Sequence, residues 1–317
     1  QQQQQQQQGA RADPTAPATL LQDGEKEKAQ EEEDCKYAVS TMVFGHASMA
    51  AEGLNVAIGL DDRVLAIELR HGCEALEREV FSHGRLEDRQ NLEYCYHGIA
   101  RHTEHVPAHM KEKIAKGEYH GGSLSEEDFD EGHDGMRLDD FLHAQESRLA
   151  SLTLPEVLAL RLYTTSSYPC FTKPLRDLAC PHPFRMCVYH LSTGLKKLRA
   201  VAAKREPERF AQKITLWRGL KNVRLDVGQF LAEGGTEVAP MSTTTEMEMA
   251  LAYAESDSPV LMQIEAAGLS QGCSLRFLSV FPKEKEFLYP PLTYLHPVGD
   301  PRIHRNITIV QVQPQIP

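Results

Sequence analysis

The chain has 317 residues, 41% hydrophobic and 25% charged, with a formal net charge of −11, enough for one large core or two modest ones. That acidic balance excludes a nucleic-acid surface spread over the whole molecule, although LKKLRAVAAKR forms a local basic patch. No apolar run approaches the ~20 residues that cross a bilayer, so neither nucleic acid nor membrane is an expected partner.

Residues 1–36 open with QQQQQQQQGARADPTAPATLLQDGEKEKAQEEED, a glutamine tract followed by Pro/Ala spacing and an acidic run. Almost nothing in it can be buried, so it reads as a disordered low-complexity tail. The first residue is Gln rather than Met, and any targeting signal lies out of view. Seven cysteines, odd in number and without a CxxC pair, favour reduced thiols and a soluble intracellular setting.

From 37 to 150 the apolar residues recur at helical spacing, as in VLAIELRHGCEALEREVF and MRLDDFLHAQESRLASL, so this segment is expected to be mainly helical, with no role assigned. Two more helices are expected at PEVLALRLYTTSSY, where Pro155 suits a first turn, and across FRMCVYHLSTGLKKLRAVAAKR. After Gln212 the pattern changes to short alternating runs, KITLWRGL, TEVAPMSTT, PVLMQIEA, KEFLYPP and RNITIVQVQ, which read as strands. The helix TEMEMALAYA interrupts them, with Glu246 and Glu248 near its positive end. A helical half followed by a strand-rich half implies an α+β fold rather than alternating βαβ units.

Several clusters resemble metal sites without completing one. DFDEGHDGMRLDDF starts like a calcium loop, but in the register beginning at Asp128 the sixth position is His133, and in the register beginning at Asp130 the twelfth is Phe141. His102, His105 and His109, and the set Cys180, His182, Cys187 and His190, lack the paired spacing of structural zinc sites. No phosphate-cradling GxGxxG or GxxxxGK[ST] element is present, and no metal is expected.

Three pieces of the second half belong together. In LWRGL, Arg218 follows the sole tryptophan inside an apolar strand and needs an anion, which a structural ion pair or a phosphate would equally supply. APMSTTTEMEMALAYA ends a strand in Ser242, Thr243, Thr244 and Thr245; Thr244 or Thr245 suits the helix cap, which leaves Ser242 free to orient another group. FPKEKEFLYPP places Glu284 and Glu286 two apart, and in an extended segment both face one way, so each needs work or a partner.

In order and context these pieces resemble the R-S-E class of mono-ADP-ribosyltransferases: Arg218-Gly219, then Ser242-Thr243-Thr244 with Ala250 and Tyr253 downstream, then Glu284-Lys285-Glu286. TEVAPMSTT and FPKEKEFLYPPLTYL resemble transferase-like proteins of dinoflagellates and other protists. Further upstream, Tyr163 and Tyr168 match a tyrosine pair five apart in related enzymes, while Thr172 stands where the family has Asn. The resemblance implies an NAD+-binding catalytic domain over 151–317, built as a split β-sandwich flanked by helices.

Carried over to this sequence, the resemblance implies that Arg218 meets the NAD+ phosphates and that the Gly219 backbone reads the nicotinamide amide. It implies that Tyr253 stacks near the nicotinamide, that Thr243 lines the nucleotide, and that Tyr163 and Tyr168 cover it. Ser242 would hold the catalytic Glu286, which binds the ribose and faces the developing positive charge, while Glu284 grips an acceptor guanidinium. Elementary chemistry agrees: a fixed carboxylate stabilises an oxocarbenium-like transition state, and a second one orients a planar cation. The expected activity is transfer of ADP-ribose to arginine on a partner protein. NAD+ hydrolysis and an inactive NAD- or protein-binding module are the alternatives.

Overall fold

The computed structural model describes residues 42–43, 53–98, 130–133, 135–205, 207–220, 230–231, 234–256 and 259–317. The histidine cluster at 102–109 lies outside them.

The expected helical runs form, each in two pieces. VLAIELRHGCEALEREVF spans parts of α2 (Asp62–Glu68) and α3 (Cys73–His83), which follow the short α1 (Leu54–Ala57); Gly72, at φ 56°, breaks the run between them. After α4 (Leu86–His97), the run MRLDDFLHAQESRLASL divides into α5 (Leu138–Leu142) and α6 (Gln145–Ala150). Then come α7 (Leu154–Tyr163), α8 (Tyr168–Arg176), α9 (Arg185–Arg205) and α10 (Pro207–Ala211).

Helix α7 is the centre of this layer. Pro155 lies in its first turn, and the Thr153 N–H donates to Glu156 Oε2 at 2.8 Å, half of a capping box. Every residue from Val157 to Tyr163 is buried, as expected of a helix enclosed on all sides. The start of α9 is held from α3: both Glu79 carboxylate oxygens accept, from Met186 N at 2.8 Å and Cys187 N at 3.0 Å. Burial outweighs these two bonds and pushes the Glu79 carboxyl up to about 7. No described helix is long and apolar enough to cross a membrane, and the six described cysteines are free.

The strands are β1 (Met42–Val43), β2 (Ile214–Leu220), β3 (Gly235–Glu237), β4 (Met241–Thr244), β5 (Val260–Ala266), β6 (Cys273–Ser274), β7 (Glu286–Tyr289), β8 (Thr293–Pro297), β9 (Arg302–His304) and β10 (Ile307–Gln315), with helix α11 (Met247–Ala254) after β4. TEVAPMSTT is thus two strands, β3 and β4, divided before Met241 by the segment containing Pro240. Among the described residues ten strands connect in one mixed sheet, ordered β1-β3-β8-β10-β5-β2-β4-β7-β6 with β9 beside β10, and β10 runs parallel to β5.

The junction between β2 and β4 is a single residue pair, Trp217 opposite Thr244. Strand alternation then gives β4 and β7 two different faces. Met241, Thr243, Phe287 and Tyr289 share one; Ser242, Thr244, Glu286 and Leu288 share the other. Met241 and Tyr289 enter a core with Leu216 of β2, Met262 and Ile264 of β5, and Val310 of β10. Leu288 instead joins the large core formed by the helices, together with Leu275 and Leu278. The short β4–β7 ladder therefore stands between the two cores.

Candidate active site

Glu286 is the first residue of β7, opposite Thr244 and on the Ser242 face, and only 7% exposed. Burial raises its carboxyl above the ordinary range, and a hydrogen bond from the Ser242 side chain pulls it partly back. Ser242 and Glu286 thus share one face of the β4–β7 ladder.

Glu284 is not in the same strand. It closes a 3-10 turn (Pro282–Glu284) in which its N–H donates to Phe281 O at 3.1 Å, and Lys285 follows in the left-handed region at φ 50°. A non-glycine residue there costs roughly 1–2 kcal/mol, so Lys285 is a deliberate joint. The two carboxylates do not converge through strand alternation; the turn brings Glu284 round toward Glu286. Glu284 accepts a hydrogen bond from the Tyr253 hydroxyl at 2.8 Å. Burial and the nearby Glu286 charge push its carboxyl up to about 8 despite that bond. The flanking lysines turn outward to acids, Lys283 to Glu131 at 3.0 Å and Lys285 to Glu246 at 2.6 Å.

The hydroxyl run is used differently from expectation. Helix α11 is capped by Glu246 with no side-chain cap bond. Thr244 accepts from Glu246 N at 3.1 Å and donates to Glu284 O at 2.6 Å, so it ties the strand end to the Glu284 turn. Thr243 faces away from Ser242 and Glu286, and its hydroxyl donates to Phe287 O at 2.7 Å.

Arg218 donates to Ser242 O at 2.9 Å and lies 3.5 Å from Glu237 Oε2. Glu237 also accepts from Arg176, the last residue of α8, at 3.3 Å. One carboxylate thus serves two guanidiniums, leaving an excess positive charge. Burial works against ionised Glu237, but the Arg176 and Arg218 charges win and hold it below the usual range. Burial lowers the Arg218 guanidinium, with Glu237 opposing and Arg176 adding to the effect; it stays a cation.

Tyr163 is buried, packs edge-on against Phe171 at 5.5 Å, and places its hydroxyl 3.4 Å from Pro240 O. Burial raises its phenol, with the Glu286 charge adding to the effect and the Arg218 and Arg176 charges opposing it. Tyr168, at the start of α8, is 48% exposed and also acts on Tyr253. Arg218, Ser242, Glu284, Glu286, Tyr163, Tyr168 and Tyr253 therefore form one electrostatic cluster.

Gly219 pairs with Leu261 of β5 and lies against α11. A Cβ there would stand 2.0 Å from Ala250 O and 2.7 Å from Ala254 N, so the close approach of helix to strand requires glycine. Gly219→Ala is expected to cost about 1–3 kcal/mol by forcing α11 off β2. Urea unfolding measures it, and an unchanged midpoint would show that the helix yields freely.

Sequence reasoning missed Arg176 and Glu237. The usable signal was Glu237 itself, the lone carboxylate of the run TEVAPMSTT, which needs a cation just as Arg218 needs an anion. Among the described residues no group of three metal-ligating side chains occurs.

No protein-family model matches the sequence, and no curated protein does either. Similar solved structures include Vis toxin, an ADP-ribosyltransferase from Vibrio splendidus, at 21% identity over 56% of this chain and 82% of that one, with a TM-score of 0.42. The ADP-ribosyltransferase HopU1 of Pseudomonas syringae pv. Tomato DC3000 is 18% identical over 57% of this chain and 88% of its own, with a TM-score of 0.43. An ADP-ribosyltransferase from Clostridium botulinum is 16% identical over 56% of this chain and 96% of its own, with a TM-score of 0.43. At these scores the resemblance is partial and assigns no activity to this chain.

Proposed function

We propose that the protein is a mono-ADP-ribosyltransferase of the R-S-E class that moves ADP-ribose from NAD+ to arginine side chains of an acceptor protein. Residues 151–317 form its catalytic domain, a split β-sandwich hinged at the narrow β2–β4 junction. The observation that carries this reading is the pair Glu286 and Glu284, one bound by Ser242 at the head of β7 and the other by Tyr253 on the preceding turn, close to the Arg218–Glu237–Arg176 cluster. Two neighbouring carboxylates with different partners, Ser242 for one and Tyr253 for the other, suit two different tasks.

In this scheme Arg218, with Arg176, takes the pyrophosphate, and Tyr163 and Tyr168 cover the dinucleotide. Tyr253 and the Gly219 backbone line the nicotinamide end, while Thr243, on the opposite face of the ladder, supports β4 from behind. The bond between ribose C1′ and nicotinamide breaks, and nicotinamide leaves with the electron pair. Glu286, oriented by Ser242, faces the cationic ribose. A guanidinium nitrogen then bonds to C1′ and loses its proton to Glu284. NAD+ is a substrate, and the scheme invokes no metal.

Labelled NAD+ with polyarginine tests the reading. Glu284→Ala is expected to lose transfer to arginine while retaining nicotinamide release; equal transfer by this variant removes Glu284 from its role. A pH profile adds a second check. With its carboxyl near 8, Glu284 is protonated at neutrality, and the base form is the one gained as pH rises. Transfer should climb about tenfold per pH unit below that value and level off above it. A flat profile between acid and alkaline pH eliminates the base role.

The same proton supports a second reading, NAD+ glycohydrolysis, because a neutral Glu284 hydrogen-bonds water as readily as a guanidinium. Nicotinamide release without label on polyarginine at any pH favours it. Thr172, buried in α8 where the family has Asn, keeps a third reading, the non-catalytic binding module. Native protein that releases no nicotinamide points there.

A further inference from the structure

The turn at Asp130–His133 supplies contacts that the scheme above does not use. It comes from the helical segment with no assigned role, yet its bonds go to the loop that presents Glu284. Three consecutive carbonyls of that loop are held from outside. Leu278 O accepts from Arg161 Nη1 at 2.7 Å, Ser279 O meets His133 Nδ1 at 3.0 Å, and Val280 O accepts from Asp130 N at 2.6 Å. The Val280 N–H donates to Thr164 Oγ1 at 3.2 Å, and Glu131 reaches Lys283, next to Glu284, at 3.0 Å.

The anchor is itself buried and fixed. Asp130 Oδ2 pairs with Arg161 Nη2 at 2.6 Å and accepts from the Tyr94 hydroxyl. The Arg161 guanidinium lies 4.3 Å from the Phe141 ring centroid, and the His133 ring meets Phe141 edge-on at 5.4 Å. Residues of α4, α5 and the 130–133 turn thus converge on α7 and the 278–283 loop.

Glu286 and Glu284 depend on this anchor unequally. Glu286 is in the β7 ladder between β4 and β6. Glu284 is outside the ladder, on a turn whose entry is the anchored loop and whose exit is the strained Lys285. We infer that the Asp130–His133 turn is a clamp that positions Glu284 for the acceptor and leaves Glu286 unaffected, which makes the helical segment a determinant of transfer over hydrolysis. The clamp rests on geometry alone; its role in transfer rests on the arginine-transfer reading. A catalytic group loosened by about 1 Å loses up to ~10²-fold, and support of this kind is what prevents it.

Removing Asp130 would leave Arg161 buried without a counterion, so the test uses Glu131→Ala with His133→Ala, which loosens the loop and spares the ion pair. Hydrogen exchange and activity are measured on the same full-length samples. Exchange is expected to rise across 278–285 and stay native across 286–289. Transfer to polyarginine should fall about tenfold or more, while nicotinamide release keeps the native rate. Unchanged exchange in 278–285 overturns the clamp. Raised exchange with an unchanged ratio of transfer to nicotinamide release overturns the positioning role. Native protein that releases no nicotinamide overturns the transferase reading and the role built on it, while the exchange result still decides the clamp.

Discussion

Replacing Glu286 with Gln is expected to lower nicotinamide release by about 10²–10³-fold, the usual loss when a preorganised charge is removed from a developing ionic centre. The substitution preserves shape, and the new side-chain carbonyl can still accept the Ser242 hydrogen bond. What disappears is a negative charge held in a buried site, where it is worth far more than in water. The carboxylate complements a cation that forms only as the glycosidic bond stretches, so the effect belongs in kcat, and KM for NAD+ should change little. Glu286 is 7% exposed at the head of β7, and burial already raises its carboxyl; Gln therefore relieves a cost to folding while slowing catalysis. Initial rates of nicotinamide release at saturating NAD+, with unfolding followed in parallel, check both halves. A Gln variant that releases nicotinamide at the native rate removes Glu286 from the chemistry, whatever the fate of Glu284.

Features with a local cause were legible in the sequence. Pro155 and Glu156 mark the start of α7, alternation marks β5 and β10, and a strand-lodged arginine beside a hydroxyl run and two glutamates marks the site. Features that depend on distant pairing were not. The sheet order follows contacts such as β10 beside β5, more than forty residues apart, which alternation alone does not specify. Arg176 and Glu237 meet across |i−j| of 61, so neither appeared as half of a pair. Strand alternation begins only at Glu286, because Pro282 opens a turn that ends at Glu284. Asp130 shows the same gap from the other side. The sequence around it shows only an incomplete calcium loop, because its partner Arg161 lies among the apolar residues of α7, thirty-one residues on.

That buried pair supplies the largest expected effect on stability. Arg161→Met should destabilise the protein by about 3–5 kcal/mol, because it leaves the Asp130 carboxylate uncompensated inside the molecule. Arg161 is 0% exposed and Asp130 3%. Burial opposes the Asp130 charge, but Arg161, His133 and Tyr94 together hold its carboxyl below the ordinary value. By linkage, a depressed carboxyl stabilises the fold above its unfolded value near 3.9, and this contribution is lost as pH falls through the lower folded value. In Arg161→Met the sign reverses. Asp130 then favours its protonated form, so acidification toward pH 5 should narrow the gap to the native protein. Adding Asp130→Asn removes the stranded charge and keeps an acceptor for Tyr94, and the double variant should be more stable than Arg161→Met alone. Urea unfolding of the two single variants and the double closes the cycle. Additive losses would mean that Asp130 and Arg161 are held independently, and the ion pair would then not be what joins α7 to the turn beneath the Glu284 loop.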